Sequence, residues 1–180
     1  MDQKISWMIL IYKVPPELST LRVKTWRKMK ELGALYLQQS VVVFPKMGSL
    51  EQEFINIVDD IRGSEGEAFL FELAPLSEND EETMVTKINE QRDQEYHELM
   101  EKCKDFLDEL KKETEKGNFT FAELEENDEE INKLSKWFFK IRERDIFNSI
   151  EREKAEEMMA VCRQKFSEFA QTVYKREGTI

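Results

Sequence analysis

The chain has 180 residues, 40% hydrophobic and 11% aromatic, which is enough to bury a core without disulfides or metals and excludes a disordered protein. Thirty-eight acidic against 27 basic residues give a net charge of -11, which repels a nucleic-acid backbone, so nucleic-acid binding requires a local basic patch. No stretch approaches the roughly 20 apolar residues of a membrane span, and we expect a cytoplasmic protein without membrane contact.

Four short apolar runs in the first part of the chain predict β-strands. They occupy residues 7–12, 34–37, 41–44 and 67–72. Helical patterns separate the first run from the second and the third run from the fourth. The resulting order, β-α-β-β-α-β, is typical of the ferredoxin-like fold, in which two right-handed crossovers place both helices on one face of an antiparallel sheet.

The helix after the first strand is the most informative element. We expect Ser19 or Thr20 to cap its start and Gly33 to end it in the left-handed conformation. Apolar residues at steps of three predict its buried stripe, which consists of Val23, Trp26, Met29 and Leu32. Basic residues spread over the remaining surface: Arg22, Lys24, Arg27 and Lys28.

The second helix of this part has a start signal and an apolar stripe. Ser49 followed by Gln52 predicts a capping box, and Gly63 and Gly66 are expected to end the helix. Its predicted buried residues are Phe54, Ile57, Val58 and Ile61.

The second part of the chain predicts three long amphipathic helices. Residues 77–82 are polar and acidic and are interpreted as a boundary, within or after which the first of these helices starts, and helical spacing runs from 83 to 175. Thr120 with Glu123 predicts the start of the middle helix, and Asn148 with Glu151 predicts the start of the last. We therefore predict an α+β protein: a ferredoxin-like lobe at 1–76, and at 77–180 a bundle of three long helices packed on it.

Signals for catalysis are weak throughout the sequence. The single histidine, His97, lies between glutamates, and with two distant cysteines no zinc-binding spacing exists. No phosphate-binding loop, dinucleotide-binding glycine motif or nucleophile motif is present. We predict no metal, no cofactor and no enzymatic activity.

Cys103 and Cys162 each fall at an apolar position of a helical pattern. The favoured interpretation is two reduced, buried thiols that act as small hydrophobic side chains. The alternative is a redox pair, which requires the two helices to be neighbours.

Two clusters of basic residues are candidate binding sites. The first-helix cations, with the helix start, suit an anion, and an arginine such as Arg22 can hold a tetrahedral oxyanion by two donors. The alternative is that these cations pair with acidic residues of the second part. The second cluster, residues 137–147, places Arg142 and Arg144 beside aromatic side chains that can stack on bases, unless both arginines pair internally.

These two clusters also carry a family resemblance. The matching segments are Trp-Met-Ile-Leu-Ile-Tyr-Lys-Val-Pro at 7–15, Arg22 with the basic run at 26–30, Leu-Gly-Ala at 32–34, and Val-Val-Val-Phe-Pro at 41–45. Together they resemble the amino-terminal domain of the ChrB family of chromate-resistance proteins. The later segment 139–147 is similar to the family's helical Arg-Asp-Phe-Phe sequence, with Ile146 in place of the first Phe.

The resemblance implies a chromate-responsive transcriptional regulator that forms a homodimer and binds chromate or a similar oxyanion, DNA or a regulatory partner. The candidate binding residues are Arg22, Lys24, Arg27, Lys28, Arg142 and Arg144. Full-length members carry a further carboxy-terminal domain. The fold also resembles Cas2-like ferredoxin domains, but Lys13 falls near the position of their metal-binding Asp, so we predict no nuclease. The alternatives are a thiol-dependent oxyanion reductase using Cys103 and Cys162, or a partner-docking subunit.

Overall fold

A computed structural model describes residues 5–75 and 77–177. The first elements are β1 (Trp7–Lys13), α1 (Ser19–Glu31), β2 (Leu35–Gln38), β3 (Val41–Pro45), α2 (Leu50–Gly63) and β4 (Glu67–Leu73). They are followed by α3 (Glu78–Lys116), α4 (Phe121–Glu143) and α5 (Arg152–Glu177). The chain divides into two compact units between Ile88 and Asn89, inside α3. The sequence placed the boundary after Leu76, which lies outside the described residues.

The first unit has the predicted antiparallel sheet, with strand order β2-β3-β1-β4. The central strand β1 pairs with β3 on one side and β4 on the other, so Leu10 lies between Val42 and Leu70. The core lies between the sheet and both helices. Because side chains alternate between the two faces of the sheet, every second residue of a strand faces the helices. From β1, the residues that enter this core are Met8, Leu10 and Tyr12.

The predicted buried stripe of α2 is confirmed, but its capping box is wrong. Phe54, Ile57, Val58 and Ile61 are all buried. Ser49 is the N-cap residue but, with helical backbone angles of φ -80° and ψ -7°, makes no side-chain cap hydrogen bond, and Gln52 donates instead to Asn56, one turn along the helix.

The opposite face of the sheet is partly covered and partly exposed. Trp7 is fully buried, and its indole Nε1 donates a hydrogen bond of 3.0 Å to Glu81 in the first turns of α3. Phe69 and Phe71 of β4 remain about half exposed, at 50% and 52%. The start of α3 is therefore part of the first unit.

Two tight turns explain how the helices of this unit end. Gly33 has φ of 75°, and the amides of Gly33 and Ala34 bond to the carbonyls of Lys30 and Met29, as in a Schellman motif. This confirms the predicted end of α1. At Gly66 a Cβ would lie 2.7 Å from Ile61 Cγ2, so the close approach of α2 to β1 permits only glycine there.

The second unit is built from the rest of α3, α4 and α5. α3 begins at Glu78, inside the segment interpreted as a boundary, because Ser77 Oγ accepts from the Asp80 amide and three acidic residues occupy the first turn. Asn148 does not cap α5: it has φ of 54°, and the helix begins at Arg152.

The core of the second unit contains the apolar stripes of all three helices. Its fully buried members include Leu99 and Cys103 of α3, Ile141 of α4 and Met159 of α5. Within residues 5–75 and 77–177, none of these helices has the length and apolar character needed to span a bilayer.

Candidate functional site

Helix α1 is turned differently from the prediction. Its buried residues are Thr25 and Met29, while Val23 and Trp26 are 46% and 49% exposed. The stripe that faces the core follows the alternating steps of three and four of an α-helix and consists of Leu18, Leu21, Thr25, Met29 and Leu32. The predicted stripe at strict steps of three is therefore wrong, except at Met29 and the partly buried Leu32.

The rotation leaves a basic and aromatic surface exposed on the first unit. α1 carries five basic residues against one acidic residue, Glu31. Trp26 lies on this surface, and Lys30 Nζ is 5.0 Å from the centre of its ring, in a cation–π contact. We call this the α1 surface and define it by Arg22, Val23, Lys24, Trp26, Arg27 and Lys30.

The predicted binding residues of α1 have local partners. Lys24 Nζ lies 2.8 Å from Asp60 Oδ2, and Lys28 Nζ lies 3.1 Å from Glu53 Oε2. Both carboxylates are on α2, in the same unit. Arg22 Nη2 donates to the Pro16 carbonyl oxygen at 2.9 Å. These contacts fix part of the cationic charge against the first unit itself.

Arg27 differs from its neighbours. It is exposed, and no hydrogen bond or ion pair of its side chain occurs among the described residues. It lines an open groove of about 710 Å³ between α1 and α2, together with Lys24, Lys28, Glu53 and Asp60. Since two of the three cations in this groove already face a carboxylate, Arg27 is its uncompensated positive charge.

The two predicted residues of the second unit have different environments. Arg144 lies at the end of α4 and donates to both oxygens of Glu95, from Nε at 3.2 Å and from Nη2 at 2.9 Å. Arg142 is exposed. Arg144 thus has the internal pairing that the sequence left open as an alternative.

Glu95 belongs to a buried polar cluster that the sequence analysis missed. Arg92 is 3% exposed, and its Nε lies 3.2 Å from Glu95 Oε2. Burial lowers the pKa of Arg92, partly offset by the Glu95 carboxylate. Among the described residues, Nε and Nη1 of Arg92 and Oδ1 of Asn89 have no hydrogen-bond partner, so Arg92 and Glu95 form an ion pair without a well-aligned hydrogen bond.

The second half of this cluster shapes the turn between α4 and α5. Asp145 is 6% exposed and accepts hydrogen bonds from the Tyr96 hydroxyl at 3.2 Å and the Ser149 amide at 2.8 Å. Ser149 donates its hydroxyl to Asp93 and accepts from the Glu151 amide. Burial and the Asp145 carboxylate raise the pKa of Tyr96. The consecutive residues Arg144 and Asp145 each bond to a residue of α3, and they therefore fix the end of α4 against α3.

A signal for this cluster existed in the sequence. Ile88, Arg92, Tyr96, Leu99 and Cys103 recur at steps of three and four, so Arg92 occupies a core position of the apolar stripe. A cation at such a position is rarely buried without a carboxylate partner.

Among the described ranges, 5–75 and 77–177, no group of three or more His, Cys, Asp or Glu side chains is arranged to hold a metal ion. Cys103 and Cys162 are both free thiols and both buried.

The fold and its surfaces define a class of protein: a ferredoxin-like unit with an exposed basic helix, continued by a unit of three long helices. The model of the family described as "Protein ChrB, N-terminal" matches residues 22–180, and the chain belongs to this family. A curated relative, Protein ChrB of Cupriavidus metallidurans, is 24% identical over 76 residues. The match covers 42% of this chain and 24% of the relative, so the chain spans about a quarter of that protein's length.

Proposed function

We propose that this chain is a regulatory protein of chromate resistance and that its α1 surface binds the phosphate backbone of DNA. Membership of the ChrB family and the resemblance to its chromate-responsive regulators support the regulatory role. The observation that carries the DNA-binding role is the exposure of Trp26 together with the cations of α1 on a chain of net charge -11.

The charge pattern of α1 favours an extended polyanion over a small oxyanion. Arg22, Arg27 and Lys30 are exposed along the helix. Cations spaced in this way can contact successive phosphates of a duplex. A single tetrahedral oxyanion in the groove would have to compete with Glu53 and Asp60 for Lys28 and Lys24. Oxyanion binding by these residues stays a prediction.

An exposed tryptophan adds a second mode of contact to the same surface. Aromatic side chains stack on bases or pack against the sugar of the backbone, while the neighbouring cations bind phosphate. Trp26 lies next to Arg27 in the sequence and under Lys30 in space. The α1 surface therefore combines the two side-chain types that nucleic-acid interfaces use most.

The test is the salt dependence of binding to a short fluorescent duplex, measured by anisotropy. Arg27→Gln with Lys30→Gln removes two exposed cations, so we expect weaker binding at low salt. The slope of log K against log salt should flatten by roughly 2, about one for each lost phosphate contact.

The matched control is Lys111→Gln with Lys112→Gln on α3, two exposed lysines whose loss changes the net charge of the chain equally. This variant should keep the slope of the unmodified protein. Equal slopes for the α1 variant and the unmodified protein, or no binding by the unmodified protein at the lowest salt, would refute the proposal.

A further inference from the structure

Two free thiols meet inside the second unit. Cys103 of α3 and Cys162 of α5 are each 0% exposed, and each thiol contacts the helix that carries the other. Cys162 Sγ also lies 3.7 Å from the carbonyl oxygen of Cys103. The two helices are therefore neighbours at this level, as a disulfide between them requires.

The two thiols are not equivalent. The neighbouring Cys162 thiol lowers the pKa of Cys103, whereas Cys103 and burial raise the pKa of Cys162. Cys103 Sγ also contacts Met159 Sδ at 3.5 Å. Cys103 is thus the better nucleophile, and Cys162 is placed to resolve an oxidised sulfur on it.

The seam between α3 and α5 also carries a groove close to the pair in the chain. An open groove of about 650 Å³ has Leu107 on one side and Val161 and Lys165 on the other. Leu107 is one helical turn after Cys103, and Val161 directly precedes Cys162. A local opening of this groove by one turn exposes both sulfurs to a small neutral oxidant.

We propose that Cys103 and Cys162 form a reversible disulfide when the chain meets a peroxide. The Cys103 thiolate attacks one peroxide oxygen, the O–O bond breaks, and Cys103 becomes a sulfenic acid, while the displaced hydroxide takes up the proton that the Cys103 thiol had lost and leaves as one water. The Cys162 sulfur then attacks the Cys103 sulfur. An S–S bond forms, the S–O bond breaks, and hydroxide leaves as a second water with the proton of Cys162.

The electrons balance in this sequence, since two thiols lose two electrons and one hydrogen peroxide is reduced to two waters. The product links α3 to α5 around the whole of α4, which lies between the two cysteines in the chain. The inference depends only on the second unit and is independent of DNA binding by α1.

The test treats the native protein with hydrogen peroxide, removes the excess with catalase, denatures the protein and alkylates it with N-ethylmaleimide. Intact-mass spectrometry should show a monomer that has lost two hydrogens and carries no alkyl group. Treatment with dithiothreitol before alkylation should restore two alkyl groups.

Single variants test the order of the steps. In Cys162→Ala the sulfenic acid on Cys103 cannot be resolved, so dimedone should label it strongly. In Cys103→Ala the remaining Cys162 should be labelled several-fold less, because burial still raises its pKa after the contact with Cys103 is lost. The proposal is overturned if both thiols of the unmodified protein remain alkylatable, if disulfides form only between chains, or if both cysteines are oxidised to sulfinic acids without an S–S bond.

Discussion

Arg92 and Arg144 approach the carboxylate of Glu95 from α3 and from the end of α4. Both guanidinium groups are largely removed from water, and the shared carboxylate offsets part of the desolvation penalty. Arginine, which is usually expected on the protein surface, is thus part of the interior here. Arg144 and Arg142 are two positions apart on the same helix, yet only Arg144 has this role.

At the residue scale we predict that Arg144→Ala destabilises the chain by about 1.5–3 kcal/mol, because two hydrogen bonds between charged groups are lost. The Arg144 and Glu95 side chains are 15% and 21% exposed, so water replaces these bonds only in part. Urea unfolding followed by circular dichroism measures the change.

Arg142→Ala is the matched control and should change the free energy of unfolding by less than about 0.5 kcal/mol, since Arg142 is exposed. Similar losses for both variants would mean that the Glu95 contacts contribute nothing specific to stability.

At the scale of elements, the N-cap residues of α2 and α4 differ in whether their side chains form a capping hydrogen bond. Thr120 Oγ1 accepts from the Glu123 amide at 3.3 Å, as the sequence predicted for α4. Ser49 occupies the same position of α2 without a side-chain hydrogen bond. Local sequence signals are therefore satisfied only where the incoming chain has the extended backbone that a cap requires, as Thr120 has at φ -107° and ψ 158°.

Thr120→Ala should lower the free energy of unfolding by about 1 kcal/mol, because one helix amide loses its acceptor. Ser49→Ala should leave it nearly unchanged. Thermal unfolding of both variants checks this pair, and an equal loss at the two positions would contradict the assignment of the caps.

At the scale of the whole molecule, many of the acidic side chains have local hydrogen-bond or ion-pair partners. Side-chain hydrogen bonds from nearby lysines, or from hydroxyl and amide groups, hold the pKa of several carboxylates below their usual value of 4.5: Glu72, Glu113, Glu151 and Glu168. For Glu113, the donors are Lys116 and Asn118. Such groups stabilise the fold above the pKa of the unfolded chain, and this stability is lost as the pH falls through the folded pKa.

We therefore expect Glu113→Gln to be less stable than the unmodified chain at neutral pH and to converge with it in acid, below the pKa of the folded Glu113. Urea unfolding at a series of pH values measures the difference. Glu98→Gln, at an exposed position of the same helix, is the control and should follow the pH dependence of the unmodified chain. A stability difference at Glu113 that does not change with pH would disprove the link to its ionisation.

Much of the fold was predictable because its signals are local. The apolar runs located all four strands, Gly33 ended α1, and Thr120 started α4 as expected. The site was less predictable. Its exposed cations were identified, but the buried cluster was overlooked, since Arg144 is far from Arg92 and Glu95 in the chain and its contact with Glu95 depends on how α3 and α4 pack.

By itself, the sequence determined the order and type of the elements, the ferredoxin-like topology and the ChrB resemblance, because residue spacing and turn residues act over a few positions of the chain. Only the tertiary structure decided which face of α1 is exposed. Val23 and Trp26 are apolar, but packing on the sheet buries Thr25 and Met29 instead. It also decided that Cys103 and Cys162 meet, since contact across two helices depends on how their side chains pack and not on their spacing in the chain.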